Sequence, residues 1–439
     1  MASVRLKTGQ VPTPELDQVV FDLSCGAKLL VSPRPGAPMT ALQVHIRGGH
    51  SLDAPDLGGV AWMAGRMVDQ GTKLHTADEI VDELEPLGGG INGDSTGLSG
   101  TIVSKHWKKL CMRATEMLTM PSYPKDRFEL QRGRVLDRLS IERDDPRSQA
   151  MHGFRELIYG DHWLGRPHYG TLESMSRIER KHIAAYHKKN WVASRAVIGI
   201  CGDVDPEAVK RLFNRALADW KAGRDLGTVE EDYPAMKRRV AAYQAKRQQV
   251  HLFLGHLGVK IQDPDYPALV VMDHILGTGP GFTNRISRRL RDKEGLAYSV
   301  NANIHSSAGN MRGVFSAYIG TSPEHTSAAL TGFMEEMKRI QDEVVPTPEL
   351  DVARNYLIGS FALGFERAGS RAGYLIRQYR FGLDSDHLKT LPGRFSAVSA
   401  KDVQRAAQRH LFPDDAVLSS GGPIAKKALL VAMGAKAKP

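Results

Sequence analysis

Apolar positions along the chain switch between two periods, and the switching is written twice. In the first half "TALQVHIRGG" has the alternation of a strand, and "GGVAWMAGRMVDQG" has the apolar density of a buried helix closed by Gly71. A second helix with its turn, "TADEIVDELEPLGGGINGDST", leads into the strand and helix of "SGTIVSKHWKKLCMRATEML". The second half repeats the order with "QVHLFLGHLG", "YPALVVMDHILGTG", "TNRISRRLRDKEGLAYSVNANI" and "RGVFSAYIGTSPEHTSAALTGFMEEM". The parallel continues with proline-led turns at Pro121 and Pro346, each opening a long helix followed by another. In both halves a helix then runs into an apolar strand ending in glycine, "AVIGICG" and "AVLSSGG". Two copies of one unit are therefore predicted, over residues 14–220 and 240–422, with the polar, aperiodic stretch 221–239 as linker. Hairpin-like strands mingled with long helices predict an α+β fold, each copy a sheet flanked by helices. That the two copies close on each other as a clamshell is inferred from their likeness and the linker between them, not from the pattern.

The helix from 58 to 71 poses a question. Val60, Ala61, Met63, Ala64, Met67 and Val68 are predicted to be buried, whereas Trp62 and Arg66, four apart, share a face. An arginine on so apolar a helix needs water or an anion beside it.

Composition narrows the class. The 439 residues are 41% hydrophobic and 25% charged, as expected of a globular protein with more than one core. No run of eighteen apolar residues is present, so no membrane span is expected. The first residues lack the apolar core of a signal peptide, which fits a cytoplasmic protein or a processed form whose leader has been removed. Net charge is +10, but the basic residues are spread along the chain without an aromatic-interleaved stripe, so nucleic acid is not an expected partner. Cys25, Cys111 and Cys201 are far apart and odd in number; they are read as small core residues, not as a disulfide or metal framework.

Two segments bring in a resemblance. "GVAWMAGRMVDQGT" (59–72) and "NRISRRLRDKEGLAYSV" (284–300) are similar to segments of the pitrilysin/insulinase-like zinc metallopeptidases, in particular the short members related to mitochondrial processing peptidase. The similarity runs from about residue 14 to 422. Active members of that family carry His, Glu and His at i, i+3 and i+4 of the first of these helices, with a glutamate on a later helix as third ligand. Here those places hold Trp62, Gly65, Arg66 and, in "VLDRL", Arg138. The resemblance thus implies no zinc in this chain. It also implies that Arg66 and Arg138 share a buried site, where they either meet substrate carboxylates or mark a pocket that drifted once the metal was lost. The second segment keeps the family's Arg/Tyr pair as Arg291 and Tyr298, residues that act on bound substrate. The stretch 84–100, "LEPLGGGINGDSTGLSG", resembles the family's entry to a peptide-binding edge strand, although Gly88, Gly89 and Gly90 also suit a plain turn. The implied function is that of a non-zinc subunit of a heteromeric metallopeptidase. A homologous partner would hold the zinc, Arg291 and Tyr298 would complete its site, and peptides would be the substrates. The alternative is a catalytically inactive structural or binding subunit, like core subunits of respiratory complexes.

Overall fold

The computed structural model describes residues 15–227, 231–280 and 283–433. The first half contributes strands β1 (Val19–Asp22), β2 (Lys28–Pro33), β3 (Met39–Ile46), β4 (Gly90–Asp94), β5 (Gly97–Val103) and β6 (Ala196–Gly202). The second contributes β7 (Val240–Gln244), β8 (Val250–Leu257), β9 (Val300–Asn303), β10 (Val314–Thr321) and β11 (Val417–Gly422). They form two mixed sheets, ordered β1-β2-β6-β3-β5-β4 and β7-β11-β8-β10-β9. Without β1 the two orders are the same. Setting β1 aside, in each sheet the last strand of its half pairs parallel with the first (β6 with β2, β11 with β7) and antiparallel with the next (β3, β8). The repeat in the sequence is thus a repeat of topology, and the fold is α+β as the patterning predicts. Residues 221–227 and 231–239, between the halves, form no helix or strand.

Each half has its own core. Phe128 and Phe213 are fully buried in the first, Phe315 and Phe333 in the second. All three cysteines are buried and unpaired.

The halves also exchange helices. The helix Pro146–Tyr159 belongs by sequence to the first half, but its stripe Ala150, Phe154, Ile158 packs on Phe253, Leu257, Tyr318 and Val417 of the second sheet. The helix Ala368–Arg380 of the second half does the reverse: Leu375 and Ile376 lie on Leu30 and Val197, and Ala372 on Ala41 and Cys201. With helices on both faces, every residue of β6 and of β11 is buried, which explains why these strands read as continuous apolar or small-residue runs. Small residues permit the close approach. A Cβ on Gly153 would lie 2.8 Å from the Ser419 hydroxyl, and one on Gly421 would lie 1.8 Å from the Pro146 carbonyl oxygen.

Candidate functional site

The helix Val60–Met67 is held at its start by a buried carboxylate. Asp53 accepts the backbone N–H of Gly59 at 2.7 Å and of Ala61 at 3.0 Å, satisfying donors that a helix leaves open. Burial pushes the Asp53 carboxyl up to about 6, against the two N–H bonds that pull it down. Val60, Ala61, Met63, Ala64, Met67 and Val68 are all buried, as the pattern predicts, and Trp62 and Arg66 are half-buried.

Gly65 is where this helix departs most from a catalytic one. A Cβ at Gly65 would fall 1.8 Å from the Asp94 carbonyl oxygen and 2.7 Å from the Ser95 nitrogen. A Cβ at Gly93 would fall 2.3 Å from the Gly65 carbonyl oxygen in return. The helix and β4 therefore touch backbone to backbone, through two facing glycines. The pattern of the second half shows what fills the matching place there. Aligning "GGVAWMAGRMVDQG" with "YPALVVMDHILGTG" sets Gly65 beside Asp273 and Arg66 beside His274. Asp273 is fully buried and accepts the N–H of Ile304 (2.8 Å), the N–H of His305 (2.9 Å) and the His305 Nδ1 proton (2.5 Å). Both copies thus bring the segment's backbone against the edge strand at a glycine (Gly65 with Asp94, Gly277 with Ala302) and tie it there with a carboxylate, Asp69 accepting the Gly93 N–H at 2.9 Å in the first and Asp273 serving in the second.

Arg138 does not share a buried site with Arg66, and this corrects the expectation. Its side chain is 58% exposed and its Nε donates to Glu142, one turn along, at 2.7 Å. The guanidinium lies 4.9 Å above the Tyr169 ring, and the Tyr169 hydroxyl donates to the same carboxylate at 2.5 Å. Burial works to raise the Glu142 carboxyl, but the bonds from Tyr169 and Arg138 outweigh it and hold it below its ordinary value. Burial first, and that bond second, push the Tyr169 phenol up to about 12. The anion that Arg138 requires is thus its own neighbour. Glu142 and Tyr169 were not singled out from the sequence, although the Arg138–Glu142 spacing of four was there to be read.

Arg291 and Tyr298 are brought together. Arg291 lies in the π-helical segment Ser287–Lys293, anchored by buried Ile286, Ser287 and Leu290. Gly295, at φ +65°, ends it. The chain then turns so that the Tyr298 ring sits 5.2 Å from the Arg291 guanidinium carbon. Tyr298 is 86% exposed and lies in the loop before β9, not within the strand as its pattern suggests. A cation above the face of an exposed phenol makes a preformed pair of donors with a free hydroxyl edge.

None of Trp62, Gly65, Arg66 and Arg138 offers a side-chain lone pair that suits zinc, and the contact at Gly65 leaves no room for a carboxylate beside it. The residues present do not fit the metal. Elsewhere among the described residues, only Asp263, Asp265 and His410 bring three ligand atoms within 4.8 Å of one another. Asp265 there already pairs with Arg405, Arg409 and His410. The histidines from 152 to 187 form no such group among the described residues.

Comparison with known proteins places this geometry. Residues 28–105 match the model of the insulinase family (peptidase family M16), and residues 177–357 match that of the peptidase M16 inactive domain. Together the two cover more than half of the chain, which belongs to the M16 peptidase family. An uncharacterized zinc protease of Streptomyces coelicolor is 24% identical over 92% of this chain and 89% of its own length. A relative from Helicobacter pylori described as a non-peptidase homolog is 23% identical over 86% of this chain and 88% of its own. The crystal structure of a peptidase M16 inactive domain from Pseudomonas fluorescens superposes with a TM-score of 0.86 at 23% identity, over 93% of this chain and 99% of that one. No helix among the described residues is long and apolar enough to cross a membrane.

Proposed function

We propose that this chain is the non-zinc subunit of a two-subunit M16 peptidase, lending Arg291 and Tyr298 to substrate held at a partner's zinc site. Related proteins carry both kinds of description, zinc protease and non-peptidase homolog, so relatedness alone does not decide. The observation that carries the proposal is the backbone contact at Gly65. The position that would bear the water-activating glutamate is one where even a methyl group collides with the Asp94 carbonyl. The Arg291–Tyr298 pair supports it from the other half. Peptide hydrolysis gathers negative charge on the carbonyl oxygen, and a phenol and a guanidinium side by side can donate to it or fix the adjacent backbone. The substrates are peptides, and the partner is a chain of the same fold that carries the HxxEH helix and the third carboxylate.

Metal analysis and a peptidase assay on the purified chain test the first part; the expectation is no stoichiometric zinc and no turnover. One tightly held zinc per chain would end the proposal. With the partner added, Tyr298→Phe or Arg291→Ala should lower kcat by about a hundredfold, the scale for removing a donor to a developing oxyanion, while leaving assembly intact. Unchanged turnover in both variants leaves a structural subunit instead.

A further inference from the structure

A cavity in the second half is lined by neither Arg291 nor Tyr298. It measures about 490 Å³ and sits between residues 274–280 and 283–288 on one side and the start of the helix Thr347–Leu363 on the other. Three guanidiniums line one part of it, those of Arg285, Arg288 and Arg339, against a single carboxylate, Glu349. Ile275, Pro346, Pro348 and Val352 line the rest.

Arg285 is the informative residue. Its side chain is only 5% exposed. Nε and one terminal nitrogen clamp Glu349 at 3.1 and 2.8 Å, which neutralises the only acid in the cavity. The other terminal nitrogen, Nη1, is buried with no acceptor. A buried donor without an acceptor is costly, and it is seldom left so unless something else completes it. Arg288 gives one nitrogen to the Thr283 carbonyl at 2.6 Å; Arg339 turns its Nε to Glu343 at 2.9 Å and has Nη1 3.8 Å from Glu336, and each of the two arginines has further N–H groups. With Arg285 balanced by Glu349 and Arg339 by Glu343 and Glu336, Arg288 supplies the charge in excess, and the planar multi-donor groups around it have the chemistry that grips a carboxylate in two-point fashion. The rigid prolines and Val352 beside it favour an apolar body attached to that carboxylate.

We propose that this cavity binds a carboxylate carried on a short apolar group: the C-terminal carboxylate of a peptide ending in an aliphatic residue, or a free branched-chain acid. Arg285 Nη1 is the buried donor, Arg288 and Arg339 close over the anion, and the apolar group lies along Ile275, Pro348 and Val352.

Calorimetric titration of the full chain with N-acetyl-leucine and with 4-methylpentanoate tests this. Both acids should bind saturably, with the neutral 4-methylpentanamide silent and inorganic phosphate much weaker. The tighter of the two acids identifies the source. Arg285→Gln breaks the Glu349 clamp and can unfold the chain, so the exposed positions carry the test. Arg288→Gln and Arg339→Gln should each weaken binding about tenfold, the scale of one charged hydrogen bond. Val352→Asp should abolish it. No saturable binding of either acid overturns the proposal. So does affinity indifferent to all three substitutions, or phosphate binding as tightly as the acids, since a bare cluster of charge would do the same. Because the titration needs no partner and no turnover, its failure is separate from failure of the catalytic proposal.

Discussion

Replacing Gly65 by alanine should destabilise the protein, although glycine-to-alanine inside a helix ordinarily does the opposite. Alanine gains about 1 kcal/mol over glycine in a helix interior through backbone entropy. At Gly65 the added methyl sits 1.8 Å from the Asp94 oxygen, 2.3 Å from its carbon and 2.7 Å from the Ser95 nitrogen. These are backbone atoms of the β4–β5 hairpin, in register from Gly90↔Thr101 to Asp94↔Gly97, and they cannot step aside as a side-chain tip can. The helix or the hairpin must move by more than an ångström, and strain of that kind costs about 1–3 kcal/mol or more. Set against the gain of about 1 kcal/mol, the net expected loss reaches about 2 kcal/mol. Gly133 supplies the control. It lies inside the helix Lys125–Arg143, and a Cβ there meets nothing within 4 Å, so Gly133→Ala should stabilise by up to about 1 kcal/mol. Urea unfolding of both variants, with the slope checked for constancy, reads the difference. If Gly65→Ala matches Gly133→Ala in sign, the close contact is not there, and the principal objection to a glutamate at this position disappears with it. The same reasoning predicts that the triple replacement Trp62→His, Gly65→Glu, Arg66→His will not create a zinc site.

Other outcomes follow from the fold and its buried groups. Phe154→Ala empties the contact between the exchanged helix and the second sheet, where the ring is 2% exposed; unfolding should show a loss of about 3–5 kcal/mol. Burial holds His45 down to about 3, and His187 and His256 each to about 4, so all three are neutral when folded at pH 5 and protonated when unfolded. Stability should therefore fall as pH drops from 6.5 towards 4, each of these histidines, and His50 likewise lowered to about 4, taking up about one proton on unfolding at pH 5 while Asp53 releases about one; a pH-independent free energy there would contradict it. Asp53 works in the opposite direction. Its carboxyl rises from 3.8 to about 6 on folding, so its contribution is present below pH 4 and is lost as pH rises through 6. Asp53→Asn should remove that part of the pH dependence, as read from unfolding curves at pH 4 and pH 7.

Much of this architecture was legible because period and order survive in a sequence. "TALQVHIRGG" covers all of β3 but its first residue and "QVHLFLGHLG" contains β8, and the repeat of elements became the repeat of sheet order. What periodicity cannot say is which partner an apolar face meets. The stripe Ala150, Phe154, Ile158 announces a buried helix face, but nothing local directs it to the other half's sheet. Gly65 reads in one dimension as a missing glutamate, and only the fold shows it pressed against Gly93. Arg138 misled because its family position drew attention from Glu142 four residues on. Tyr298 carries the alternating pattern of a strand, yet the turn at Gly295 delays β9 until Val300 and leaves the ring in solvent.

The exchanged helices have a consequence for how the chain comes off the ribosome. β6 completes the first sheet at Gly202, but the segment that covers Leu30, Ala41 and Val197 is not finished until Arg380. At a synthesis rate of about 5–20 residues per second, that leaves an oily surface bare for roughly ten to forty seconds. During this interval the nascent polypeptide is a client for whatever shields unfinished proteins, and a ribosomal pause placed between the two points would lengthen its most aggregation-prone moment.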